Sequence, residues 1–497
     1  YSTVNRFGGN TGSRTTNTPG TVNTSTSNTP RANTGSNTGI GSGTVANAGS
    51  NTSDTPRGGG RIPGSQLPNV PPGPVGLGGG GGGAGGGGGG AGGGGGGGAG
   101  GGANVASSGV PPRNERRYVP DEVIAEFSST ATPQSIDQLA RRYNLTRLES
   151  QSFPLIGTII YRWHINGRRS VPDTIGAIED QRVVARAQPN YLFTLQADAT
   201  TPATKTRGDD SAQYALGKLH IERAHQVATG KNIPIALIDS EIDVKHPDLN
   251  GAITKSFDPL GGDAKPHPHG TAMAGAIAAH GKLSGIALGP HLLAARAFDN
   301  TAGEAKGTSL AIYKSLQWAA DNGARVINMS FAGPADPDMH RMLAAAYEKG
   351  IVLVAAAGNA GPNSAPLYPA ADPDVIAVTA TDSNDGLFKM ANRGSYIAVA
   401  APGVEILALA PGDSYQITTG TSVAAAHVSG IAAMLLEEKP SLTPNEVRSI
   451  IMSTAKPLGS AGQRSDFGAG LVDAYQAVSA VTNGKPAAKQ DAEQAKE

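Results

Sequence analysis

The chain has 497 residues, 40 Lys+Arg against 40 Asp+Glu, and no cysteine. The even charge removes any general attraction for a polyanion, so no nucleic-acid partner is expected. The missing cysteine excludes disulfides, thiolate metal sites and a thiol nucleophile, and no apolar run is long enough to predict a membrane span.

Residues 1–116 are rich in Gly, Asn, Thr, Ser and Pro, with a pure Gly/Ala run over 78–102. Such a segment has too little apolar surface to offset the entropy of ordering, and it reads as a disordered, low-complexity arm. The character changes at Arg117. Strand patterns at 118–127, 146–153, 158–166 and 183–196 alternate with two helices, which start at Thr132-Pro133 and at Ser170 with Asp173. That β-α-β-β-α-β order over 117–196 predicts a small ferredoxin-like α+β domain. Residues 197–213 are polar, include Pro202 and read as an exposed linker.

From 214 to 482 apolar strands alternate with helices, the pattern of an α/β domain with a mostly parallel sheet covered on both faces. Strands are expected at 233–239, 292–298, 325–331, 351–357, 375–381 and 396–401. Helices are expected at 269–280, 308–323, 336–349 and 421–438, and a last one starts at the Thr443-Pro444-Asn445-Glu446 capping box. The Lys/Ala/Gln/Glu-rich tail, 483–497, reads as solvated.

Four of these elements end in residues that could share one chemistry. Asp239 closes a strand, His269 opens a small-residue helix, Asn359 follows the strand that ends at Ala357, and Ser422 starts the helix after Gly420-Thr421. Ligands of open α/β sheets bind at the carboxyl ends of the strands. A serine needs a base to take its proton, histidine titrates in the right range, a carboxylate orients the imidazole, and an amide can meet the oxyanion. Taken alone, such a serine is more commonly a helix cap than a nucleophile, and Gly307-Thr308-Ser309 shows the same pattern.

The blocks Asp239-Ser240, His269-Gly270-Thr271, Ala357-Gly358-Asn359 and Gly420-Thr421-Ser422 occur in that order, and together they resemble the signature of the subtilisin-like serine proteases (subtilases, S8). The resemblance covers about 214–481. It implies a three-layer subtilisin-like domain and a serine endopeptidase made as a self-processing zymogen, with 117–196 as inhibitory propeptide and a cut within 196–213. By the same resemblance Ser422 is the nucleophile, His269 the general base and then acid, and Asp239 the orienter. Asn359 and the Ser422 N–H form the oxyanion hole, and Ser330, Phe331, Ala332, Gly333, Ala357 and Gly358 bind substrate. The S1 cleft is expected to be roomy and apolar, with Leu367 at its floor. No cofactor and no metal are expected. The partners are polypeptide substrates and the chain's own propeptide, the enzyme is a monomer, and its location is secreted or cell-envelope/periplasmic.

Some positions depart from the family. Glu241 stands where a glycine is usual, so strain at positive φ or a perturbed Asp239 is conceivable, although Glu241 is expected to point outward. Val423 replaces the usual Met, which predicts activity that survives mild peroxide. His267 reads as a solvated loop residue, His427 as a structural hydrogen-bonding residue, and Asp243 and Asp248 as turn and cap residues. The alternative function is a catalytically silent surface or scaffold protein that keeps the fold, which Glu241 and the Gly-rich arm motivate.

Overall fold

A computed structural model of the protein describes residues 108–196, 198–202, 213–299, 305–460 and 464–482. The predicted disordered arm up to residue 107, most of the 197–213 linker and the 483–497 tail lie outside the described residues.

The N-terminal domain has the expected order: β1 (Tyr118–Phe127), α1 (Pro133–Tyr143), β2 (Leu145–Phe153), β3 (Thr158–Ile165), α2 (Val171–Glu179) and β4 (Val184–Leu195). Thr132 caps α1 by accepting from the Ser135 N–H, and Asn144 ends it in the left-handed conformation. The strands lie antiparallel in the order β4-β1-β3-β2, and Val123, Trp163, Ile175 and Ile178 fill the space between sheet and helices.

The second domain begins with β5 (Asp198–Pro202), α3 (Tyr214–Lys218), α4 (Ile221–His225), β6 (Pro234–Asp239), β7 (Ile253–Phe257), α5 (Pro268–Ala278) and β8 (His291–Arg296). It continues through β9 (Lys306–Thr308), α6 (Ser309–Asp321), β10 (Val326–Met329), β11 (Phe331–Ala332), α7 (Pro337–Glu348), β12 (Val352–Ala356), β13 (Val375–Thr381) and β14 (Ile397–Pro402). The last elements are β15 (Ile406–Ala410), β16 (Ser414–Thr419), α8 (Thr421–Glu438), α9 (Pro444–Ser453), α10 (Arg464–Phe467) and α11 (Ala474–Thr482).

Seven strands form one parallel sheet in the order β14-β13-β12-β10-β6-β8-β7. Its central strands are apolar on both faces because helices cover both. Ile235 and Leu237 of β6 join the core with α5, α8, α9 and α11, whereas Ala236 and Ile238 join the core with α6 and α7. Helix α8 approaches closely because its facing residues are small. A Cβ added to Gly430 would lie 2.6 Å from Ile286 Cβ, closer than packed side chains tolerate.

Several elements differ from the expectation. Strand β7 was not foreseen: it is a half-polar edge strand, Ile-Thr-Lys-Ser-Phe. The β15–β16 hairpin lies off the main sheet, and α11 follows α9, which had been read as the last helix. The start of the presumed linker, 198–202, forms β5 and pairs antiparallel with β16.

Candidate active site

The strand ends and two helix starts bring Asp239, His269, Asn359 and Ser422 together. Asp239 is the last residue of β6, His269 lies in the first turn of α5 and Ser422 in the first turn of α8. Asp239, His269 and Ser422 are all nearly inaccessible to solvent. His269 Nδ1 is 2.7 Å from Asp239 Oδ1, and its Nε2 is 3.1 Å from Ser422 Oγ. Asp239 Oδ1 also accepts from the Ser240 N–H at 2.7 Å, while Oδ2 is buried without a hydrogen-bond partner among the described residues.

The Asn359 amide has a fixed orientation. Its Oδ1 accepts from the Thr421 N–H at 3.1 Å and the Thr421 hydroxyl at 2.9 Å, which turns Nδ2 toward the cleft. There Nδ2 donates at 2.9 Å to the carbonyl oxygen of Gln196, the residue just after β4. The Ser422 hydroxyl also contacts that oxygen. The Ser422 N–H, expected as the second donor, makes no hydrogen bond to it.

Strand β4 explains how Gln196 arrives there. Its first half pairs with β1 in the N-terminal domain, and its second half leaves that sheet and enters the cleft. Leu195 and Thr194 pair antiparallel with Phe331 and Ala332, and Leu192, Phe193 and Thr194 pair with Thr308, Gly307 and Lys306. The Gln196 N–H donates to Ser330 O at 3.2 Å. An extended peptide is thus held as a strand between two strands of the second domain.

Side chains fit the same groove. The Phe193 ring is fully buried, edge-on to Phe331 with centroids 6.0 Å apart. Gly333 makes room for it, since a Cβ there would lie 2.3 Å from the ring. Ala357 is buried behind the cleft, and a Cβ on Gly358, which sits at φ 109°, would lie 2.9 Å from Leu367 Cδ1. Beyond Gln196 the cleft is lined by Ala332, Ala360, Ser364 and Leu367. Sequence reading missed β9, the second wall. Its Gly307-Thr308 reads in the sequence only as a helix start, and the visible signal is a small residue just before the cap.

Comparison with known proteins agrees with this geometry. The Subtilase family, peptidase S8, matches residues 230–470, and the Fervidolysin N-terminal prodomain matches 105–190. The chain is 32% identical over 370 residues to the thermophilic serine proteinase of Bacillus sp. (strain AK1), spanning 73% of this chain and 88% of that protein. It is 36% identical to thermitase from Thermoactinomyces vulgaris over 54% of this chain and 96% of that protein. The chain belongs to the subtilase family. It is a serine endopeptidase that acts on polypeptides and is made with an N-terminal propeptide. The crystal structure of fervidolysin from Fervidobacterium pennivorans, described as a keratinolytic enzyme related to subtilisin, shares the fold. Its TM-score is 0.62 at 24% identity, over 73% of this chain and 61% of that one.

In this subtilase Glu241 is not at positive φ. Its half-buried side chain, expected to point outward, lines a pocket with Ser240, Asp258, Asp263 and Arg296. Burial raises its pKa and Arg296 opposes the rise. His427 accepts its expected structural role: Nδ1 lies 3.0 Å from Pro402 O, and burial pushes the ring down to about 4. Asp248 anchors a turn by accepting from the Lys282 and Leu283 N–H groups, and Asp243 accepts from the Gly412 N–H. His267 is the exception. It is half-buried and caps α5, because its Nδ1 accepts from the His269 N–H at 3.2 Å. A helix that begins at Pro268 leaves its first-turn N–H groups without intrahelical acceptors, and the His267 ring serves one of them.

The prodomain also covers the N-termini of α6 and α7. Asn190 Oδ1 accepts from the Leu310 N–H at 3.3 Å, and Ser309 Oγ accepts from the Tyr191 N–H at 3.0 Å. Gln188 donates to Asp336 at 2.8 Å and accepts from the Asp338 N–H at 3.2 Å. Burial, and then Asp336, push Asp338 up to about 6 against the pull of Arg341, which also pairs with Glu126 of the prodomain. A carboxyl whose pKa is raised in a complex favours that complex when protonated. The contribution is complete below its pKa in the free enzyme and is lost as pH rises through about 6. The cleaved prodomain should therefore inhibit more tightly at pH 5 than at pH 7.5, by up to about tenfold over that whole range. Inhibition constants measured across that range check this, and a flat profile would contradict it.

Proposed function

We propose that Ser422 attacks the scissile carbonyl while His269 takes its proton and later delivers it to the leaving amine. Asp239 holds the imidazole tautomer and stabilises the imidazolium, and Asn359 Nδ2 donates to the oxyanion of the tetrahedral intermediate. Collapse of that intermediate gives an acyl-enzyme, which water then hydrolyses.

We further propose that the first bond cut is the chain's own Gln196–Ala197. One observation carries this reading: the Gln196 carbonyl oxygen receives Asn359 Nδ2 at 2.9 Å and touches Ser422 Oγ. Its N–H is meanwhile paired with Ser330. The prodomain is then both inhibitor and first substrate, since β4 fills the groove that later substrates must use. Its sequence also indicates what they look like. A large aromatic side chain fits three residues before Gln196, where Phe193 lies against Phe331, and a neutral residue fits at the cut, where Ala332, Ser364 and Leu367 line the cleft.

The reading extends to a monomeric enzyme that acts in secretion or at the cell envelope without a nucleic-acid partner, supported by the even charge and by the family. N-terminal sequencing of the mature enzyme should begin at Ala197. A first cut elsewhere within 197–213 would contradict the assignment of Gln196 to the scissile position.

A further inference from the structure

The turn that carries His269 contains a second histidine whose ring is tied to the triad through one hydroxyl. Ser240 Oγ lies 3.1 Å from Asp239 Oδ1, 3.0 Å from His267 Nδ1, and accepts from the Gly270 N–H at 3.1 Å. The hydroxyl has one proton and two possible acceptors. His267 Nδ1 is in addition the acceptor of the His269 N–H at 3.2 Å. The nitrogen that caps the helix of the catalytic imidazole therefore also competes with Asp239 for the Ser240 proton.

We propose that His267 is a positioning residue for His269, active in its neutral form and disabling when protonated. Neutral, its single Nδ1 lone pair is shared by the His269 N–H and the Ser240 hydroxyl, with Asp239 Oδ1 as the hydroxyl's other acceptor. This fixes the first turn of α5 and leaves Asp239 Oδ1 chiefly to the Ser240 N–H and the His269 ring. Protonated, Nδ1 becomes a donor to Ser240 Oγ. The His269 N–H then loses its acceptor, and the Ser240 proton turns to Asp239 Oδ1 as a third donor that competes with the imidazole. The groups facing His267 fit this balance. Burial and then His269 on α5 oppose its protonation, Asp239 on β6 favours it, the Glu241 carbonyl accepts from its backbone N–H, and neutral Gln416 of the β15–β16 hairpin donates to the neighbouring Pro268 carbonyl.

This inference rests on the triad reading above. The test compares kcat, KM and the acid limb of kcat/KM in the wild type, His267→Ala and His267→Asn. Asn can place Oδ1 where Nδ1 stood, keeping the cap without a titratable ring. His267→Ala should lower kcat by about tenfold or more with little change in KM, since a small displacement of the base is costly and no hydrogen bond joins the ring to the bound strand among the described residues. His267→Asn should restore kcat. The wild-type limb should steepen toward two protons as pH falls, and the His267→Asn limb should stay at one. The proposal is overturned if His267→Ala keeps the wild-type kcat, if His267→Asn falls as far as His267→Ala, or if the limb keeps its two-proton slope in His267→Asn. Ser422→Ala separates the two readings, because its retained activity would sink the triad itself whatever the His267 variants show.

Discussion

Ser422→Ala is expected to yield a chain that folds, keeps its prodomain and never matures. Removing the hydroxyl takes away the group proposed to attack the Gln196 carbonyl, and the cavity left is one atom in size. The loss in kcat should be about 2 × 10⁶, the figure established for subtilisin, a member of the same family. Because β4 already lies between β9 and β11, the uncut prodomain should remain seated. Intact mass after long incubation checks this. A product that starts near residue 197 in the purified variant, free of other proteases, would mean that another group performs the cleavage.

Asn359→Ala should separate binding from chemistry. Thr421 holds the side chain through two bonds to Oδ1, so the amide is aimed before substrate arrives and needs no reorganisation. Its loss should lower kcat by about 10²–10³ with KM nearly unchanged, a range derived from the corresponding change in subtilisin. The N–H of Asn359, which binds the Gln196 side chain, survives the substitution. Steady-state kinetics on a peptide with Phe three residues before the cut would show the split. An equal loss in KM would mean that Asn359 binds ground state and transition state alike.

The central strands, the sheet class and the four motif residues were legible in the sequence because continuous apolar runs and capping patterns are local signals. Strand β12, Val-Leu-Val-Ala-Ala, has the short, continuous, β-branched apolar run of a strand buried on both faces. Strands β7 and β16 were not legible, since their partly polar patterns acquire meaning only from neighbours distant in the chain, whereas β15, Ile-Leu-Ala-Leu-Ala, carries an apolar signal as plain as that of β12. The same holds for the cleft. Phe331 and Gly333 could be assigned through the motif, but Lys306-Gly307-Thr308 becomes a wall only when β4 is inserted beside it. His267 was misread for a similar reason: its flanking prolines suggest an exposed loop, whereas the fold turns its ring onto Ser240.

The most direct test is to map a fluorophosphonate adduct by peptide mass spectrometry on the matured wild-type enzyme. The adduct should fall on Ser422 alone, in a chain that begins at Ala197. Labelling of another serine such as Ser309 or Ser330, or no labelling of a folded enzyme freed of its prodomain, would contradict the assignment of the nucleophile.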